Sequence, residues 1–220
     1  MILHYLKSST KRILKNLGFS VVSIIGLTIG ITSFYILFIH VTNEKSFDKH
    51  VKDYKNIYRV ISNPVGVDTK WARSLGFING AAANIPEVEE ATQFSHCPLG
   101  TISINEKSFQ QEDIMSIDES FINIFEVESI TGNLADIKEP NTAFISEDFA
   151  KKYFSDENPI GKSIKIESLQ YARDLGEFQI RGIVKNTHPK THFSYHILIS
   201  QKGALQERYA SLVNSKIHWV

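Results

Sequence analysis

The sequence predicts an α+β protein: one N-terminal transmembrane helix followed by a mixed α/β extracytoplasmic domain. Three observations predict it. No Asp, Glu, Lys or Arg occurs from Asn16 to Asn43. The early positive charges, Lys7, Lys11, Arg12 and Lys15, all precede that run, and residues 1–16 hold no carboxylate. Beyond the run, strand-like alternation is interleaved with capped helical patterns and Gly or Pro turns.

These features divide the chain into a basic cytoplasmic or interfacial segment (1–16), a transmembrane helix (17–41), a connector (42–55) and an outer domain (56–220). As a helix, residues 17–41 would be about 37 Å long, against a hydrocarbon core of about 30 Å. Residues 21–41 contain 13 Leu, Ile, Val or Phe. At about −0.3 to −0.6 kcal/mol each, these favour insertion by roughly 4 to 8 kcal/mol before polar corrections. Ser23, Thr28, Thr32 and Ser33 can return their hydroxyls to the helix backbone, and His40 falls where the headgroups begin. A cleaved signal peptide is one rival, but its apolar region spans only about 7 to 15 residues and ends in a small-x-small site. "FIHVTNEKS" offers no such site. A buried core helix is the other rival, opposed by the length of the charge-free run. The charge asymmetry places residues 1–16 in the cytoplasm and everything after about Asn43 outside the inner leaflet. Ile2, Leu3, Leu6, Ile13, Leu14 and Leu17 among the lysines suit a helix lying in the interface; an ordinary basic flank is the alternative. Gly26 and Gly30 form a G-x-x-x-G pair flanked by Ser23 and Ser33, a candidate helix-packing face.

The outer domain reads in order as follows. "NIYRVIS" (56–62) alternates like a strand, and "WARSLGFINGAAANIP" (71–86) reads as a helix stopped by Pro86. "VEEATQFS" (88–95) is a strand, and 100–118 is a hairpin turning near Asn105-Glu106. "DESFINIF" (118–125) is a short helix with Asp118 as its cap. "TAFIS" (142–146) is an apolar strand leading into the helix "SEDFAKKYF". There Ser146 caps, acids precede lysines as the helix dipole prefers, and Phe149, Ala150, Tyr153 and Phe154 form the buried face. "KSIKIE", "GEFQIRGIVKN" and "HFSYHILIS" complete a sheet on which the helices pack.

Candidate chemistry is sparse. Formal net charge is zero, so no broad electrostatic grip on nucleic acid is expected. Cys97, the single cysteine, excludes an intrachain disulfide and has no evident activating base in sequence. Gly161-Lys162-Ser163 imitates the end of a phosphate loop, but the position of its first glycine is Asp156, Pro159 interrupts it, and a strand pattern follows. A helix-to-strand turn, with Gly161 supplying unusual backbone angles, is the better reading. His188, His192 and His196 are spaced by four, as zinc ligands on a helix can be. Pro189 and the alternation after it favour a strand, which would set His192 and His196 about 13 Å apart. Glu87, Glu89 and Glu90 read as a solvated edge, and Lys151-Lys152 as an exposed helix end. No catalytic, cofactor-binding or metal-binding residues emerge.

Four stretches carry a resemblance: "NLGFSVVSIIGLTIGI", "NEKSFDKHVKDYKNIYRV", "SIDESFINIFEVESITGN", and "TAFISEDFAKKYFSDENPIGKSIKI" running into "FQIRGIVKN". In this order and spacing, over roughly residues 10–200, the chain resembles the amino-terminal part of an FtsX-like, MacB-type ABC transporter permease. The resembling part is the first span plus the MacB-like periplasmic core domain. The resemblance implies a non-catalytic subunit of the bacterial inner membrane, with its N-terminus cytoplasmic and its main domain periplasmic. It implies as partners the lipid membrane, a second permease subunit forming a dimer, a separate cytoplasmic ATP-binding subunit and a periplasmic partner. It implies efflux, lipoprotein release or signal relay by mechanical transmission, and three further spans beyond Val220, so the chain is expected to be a fragment or a truncated member. Two readings of other classes stand beside it. A single-span anchored sensor or binding module predicts an independent ligand pocket, and an anchored enzyme needs a site that the sequence does not offer.

Overall fold

A computed structural model describes residues 15–61, 85–104, 107–155, 157–168 and 173–202. The chain divides into two compact units, Met1–Phe47 and Asp48–Val220. In the first, helix α1 spans Leu17–Glu44, with 28 residues and none buried. Among the described residues it is the helix long and apolar enough to cross a membrane. Thr28 Oγ1 donates to the Ile24 carbonyl at 2.7 Å, so this hydroxyl is satisfied without water. Residues 1–14 of the basic segment lie outside the described residues.

The second unit is built on a seven-stranded mixed sheet. Its strands are β1 (Ser95–Ile104), β2 (Lys107–Ile117), β3 (Ser129–Thr131), β4 (Thr142–Ser146), β5 (Ser163–Ser168), β6 (Arg173–Val184) and β7 (Ile197–Ser200). The order is β3-β6-β4-β7-β2-β1-β5, and β5 also pairs with β6, so the sheet curls until six strands close on one another. The long strand β6 makes the closure. Arg173 to Gln179 pair antiparallel with β5, while Gln179 to Val184 pair parallel with β4. The other parallel pair is β2–β7.

Strands β4 and β7 are buried on both faces, as suits the apolar runs Ala143–Ile145 and Ile197–Ile199. Their alternating side chains feed two cores. Ala143, Ile145, Ile197 and Ile199 join Ile102, Ile114, Ile164, Phe178 and Ile180 beneath helix α3 (Glu147–Phe154). Phe144 and Leu198 point the other way, to Met115, Ile117, Ile137 and helix α2 (Glu119–Ile124). Phe121, Phe144, Phe149 and Phe178 are essentially fully buried. Each is worth about 1.5–3 kcal/mol relative to exposure, so these rings set where the helices sit.

Both helix caps are as read from sequence. The Phe121 amide donates to Asp118 Oδ1 at 2.9 Å and the Phe149 amide to Ser146 Oγ at 3.2 Å. On α3, Phe149, Ala150 and Phe154 are buried and Tyr153 is half-buried. The hairpin is present as β1 and β2; its turn at Asn105-Glu106 lies outside the described residues. Pro98 falls in β1 where the register shifts between Cys97 and Gly100, as a residue without an amide hydrogen requires.

Three strand expectations need correction. Residues 57–61 are not a strand, because no described strand lies beside them to form a ladder. Residues 88–94 are irregular, and β1 begins only at Ser95. There the Asp118 carboxylate receives the Thr92 hydroxyl at 2.5 Å and the Gln93 amide at 3.2 Å, so a side chain takes the place of ladder bonds. In "HFSYHILIS" only Ile197–Ser200 are strand, so His192 and His196 precede it. Of the helix expected over 71–86, residues 71–84 lie outside the described residues.

Candidate functional site

The start of the second unit is fastened to the loop that leads into β7. Asp48 and Asp53 both take left-handed backbone angles (φ 56° and 55°), a conformation Asp tolerates better than most residues. The first of these bends presents Asp48 to residues 190–192. The Asp48 amide donates to the Lys190 carbonyl at 3.0 Å. Its carboxylate receives the Thr191 hydroxyl at 2.8 Å and the His192 amide at 3.1 Å on Oδ1, and His192 Nδ1 lies 2.6 Å from Oδ2. Beside this clasp His50 stacks on His188, ring centroids 4.2 Å apart. His188 Nδ1 accepts the Lys190 amide at 3.1 Å, which fixes that nitrogen as an acceptor. Val51 is buried, and the Lys52 amide donates to Glu126 Oε2 at 3.2 Å, just past α2.

The loop itself is rigidly held. Thr191 Oγ1 accepts the Phe193 amide at 3.2 Å. The Phe193 ring packs 5.1 Å from Phe94 and 4.6 Å from Phe125, next to Phe121 on α2. Two residues on, burial pushes the Tyr195 phenol up to about 12. Connector, loop, aromatic cluster and central strand β7 thus form one continuous set of contacts. Burial raises the Asp48 carboxyl, but the hydrogen bonds from His192 and Thr191 and the nearby imidazole outweigh it and hold Asp48 below the usual aspartate value.

A second polar cluster joins α3 to the sheet. Glu112 of β2 is 2% exposed. It receives Lys152 Nζ at 2.7 Å and the Tyr153 hydroxyl, and His196 Nδ1 lies 2.6 Å from its Oε2. The hydrogen bond to Glu112, then that to Tyr153, raises Lys152 above the ordinary lysine value. Burial first, and the Glu112 carboxylate second, raises Tyr153.

The residues singled out from sequence are distributed, not gathered. Gly26 and Gly30 lie on α1 with nothing within 4 Å of a Cβ built on either. Gly161 has φ +87°, as the turn reading required; its amide donates to the Ile180 carbonyl at 2.8 Å, and Lys162 pairs with Glu157. The three histidines go to three places: His188 to His50, His192 to Asp48 and His196 to Glu112. Among the described residues no group of His, Cys, Asp or Glu could hold a metal ion. Glu87 and Glu89 are exposed, and Glu90 accepts Asn123 Nδ2 at 2.9 Å. The Cys97 side chain lies outside the described part of the structure. A solvent-open depression of about 450 Å³ lies where β6 passes from β5 to β4, lined among others by Thr142, Ser163, Glu177, Gln179 and Arg181. Asp48 and Glu112 are the residues that sequence reasoning missed. Nothing near Asp48 announces partners so distant in sequence. Glu112, however, shares strand parity with Ile114, a signal that it faces inward.

Solved structures similar to this chain include the following permease and transporter domains. A domain assigned to a permease protein of Porphyromonas gingivalis is 20% identical with a TM-score of 0.54; the match covers 68% of this chain and 60% of that domain. The periplasmic region of MacB from Actinobacillus actinomycetemcomitans is 16% identical (TM-score 0.40, 62% of this chain and 71% of that one). The extracellular domain of the noncanonic ABC-type transporter YknZ from Gram-positive bacteria is 11% identical (TM-score 0.46, 64% and 67%). No curated protein matches. The family model of the MacB-like periplasmic core domain matches residues 20–217. With that model matched over most of its length and an apolar helix leading into the mixed sheet, the chain belongs to the MacB-like periplasmic core domain family of ABC transporter permeases.

Proposed function

We propose that this chain is the amino-terminal portion of an ABC transporter permease subunit that passes ATPase-driven movement of a membrane helix to an extracytoplasmic domain. In this reading the chain is non-catalytic. Residues 1–16 are cytoplasmic, α1 crosses the bacterial inner membrane, and the outer domain is periplasmic. A second permease subunit completes a dimer, a separate cytoplasmic subunit binds ATP, and a periplasmic partner receives the motion. Efflux, lipoprotein release and signal relay all fit this output. The observation that supports it is the Asp48 clasp. It ties the first residues of the outer domain to the loop entering buried strand β7, so a displacement arriving at Asp48 is handed to the sheet instead of being absorbed by slack chain.

The test uses the full-length protein assembled with its ATPase. Spin labels on Lys185→Cys in both subunits should report an ATP-dependent distance change in the outer domains. Asp48→Asn should reduce that change several-fold while ATP hydrolysis persists. An undiminished change would overturn the role of the clasp.

A further inference from the structure

Most sheet isoleucines of this unit are buried, the edge-strand residue Ile130 at 47% exposure being an exception. Yet in the stretch after the clasp Tyr54 is 39% exposed, Ile57 37%, Tyr58 82%, Val60 52% and Ile61 53%. The backbone makes a 3₁₀ turn at Tyr54–Asn56, Ile57 is extended (φ −89°, ψ 120°), and residues 57–61 have no described strand beside them. Exposed lysines precede and enter this stretch: Lys45, Lys49, Lys52 and Lys55. Of the two aspartates in the same stretch, Asp48 is held by the clasp, leaving Asp53 against that positive row. The segment follows Glu44, the last residue of α1, by only residues 45–53, a tether of roughly 30 Å at full extension.

We propose that Tyr54–Ile61 seats on the anionic headgroup layer of the bilayer that α1 enters. Three features select lipid as the occupant. Tyrosine is amphipathic, with a ring suited to the acyl boundary and a hydroxyl suited to the headgroups. The lysines complement anionic lipid phosphates while their stems cover apolar surface. The short tether keeps the segment within reach of the surface where the chain emerges. A protein strand added along residues 57–61 is the competing occupant; it would have to cover the cations as well as the apolar groups. This inference rests on α1 as a membrane span and not on the coupling role, so either can fail without the other.

The experiment uses the full chain in nanodiscs, with Cys97→Ser as background and an NBD fluorophore on Tyr58→Cys, Ile61→Cys or, as a control away from the segment, Lys185→Cys. Phosphatidylcholine discs with and without phosphatidylglycerol carry doxyl-labelled lipid as quencher. Emission at positions 58 and 61 should fall at least twofold more than at 185, and more in the anionic discs. Replacing Lys49, Lys52 and Lys55 together by Gln should remove the anionic increment. Labels shielded from aqueous iodide but untouched by doxyl lipid would mean a protein occupant and overturn the proposal. Labels open to iodide in both disc types would overturn it as well.

Discussion

Asp48 is a small residue with a large share of the connector's order. Its carboxylate takes two hydrogen bonds on one oxygen and faces an imidazole nitrogen with the other. Because its folded value is lowered, its stabilisation is fully present above the ordinary aspartate pKa of about 3.9 and is lost as pH falls through the lowered folded value. Protection of the amides at residues 48–52, relative to intrinsic exchange at the same pH, should therefore fall below about pH 4. Asp48→Asn should lower that protection at neutral pH and flatten its acid dependence. The cost should be about 1 kcal/mol, since the His192 side chain is 58% exposed and water screens the pair. Glu112 poses the opposite case, a buried carboxylate with three partners at the surface. Glu112→Gln should lower stability by about 1–2 kcal/mol, read from the urea midpoint, and Lys152→Ala by less than about 1 kcal/mol because Tyr153 and His196 remain. A larger loss from Lys152→Ala would mean that the lysine, and not the buried carboxylate, organises the cluster. Strand parity with Ile114 carried a signal for Glu112 that the sequence reading did not use. Asp48 was not legible, because its meaning depends on a loop more than a hundred residues away.

At the scale of elements, local chemistry was a good guide wherever the element carries its own signal. The caps at Asp118 and Ser146, the acid-to-base gradient of α3 and the hairpin are decided by neighbours in sequence, and the structure has all of them. Strands are different, since a ladder needs a partner that the strand's own residues do not specify. Residues 57–61 carry the pattern and have no strand beside them among the described residues; 88–94 carry the pattern and are held by Asp118 instead. The join of β3, β4 and β6 depends on a glycine that sequence reading did not single out. A Cβ on Gly182 would meet the Thr131 carbonyl at 2.3 Å and the Phe144 ring at 2.8 Å. Gly182→Ala should therefore push β3 off β6 and cost about 1–3 kcal/mol. Lowered thermal stability with faster exchange at Ser129–Thr131 is the expected result; a wild-type melting curve would show that the ring and edge strand yield freely.

For the whole molecule, the question is what α1 packs against. Gly26 and Gly30 have open space around them, so Gly26→Ile and Gly30→Ile leave the helix itself unobstructed. A change in behaviour would then report on a neighbouring helix. In the full-length protein the double variant should dissociate the assembled complex in gentle detergent, seen as a smaller species by light scattering, while insertion into the membrane is retained. Unchanged assembly would remove the small-residue face from the packing surface.

The charge-free run, the basic flank, the two capped helices and the turn at Gly161 all follow from neighbours along the chain, and so the amino-acid sequence alone determined them. Folding decided what contact at a distance decides. It curled the sheet through the shared strand β6, left residues 57–61 without a described partner, buried Glu112 against α3 and brought Asp48 to His192. The physical reason is that caps, turns and hydrophobic runs act within a few residues. Strand pairing and buried polar contacts, in contrast, are chosen by which distant segments exclude water together.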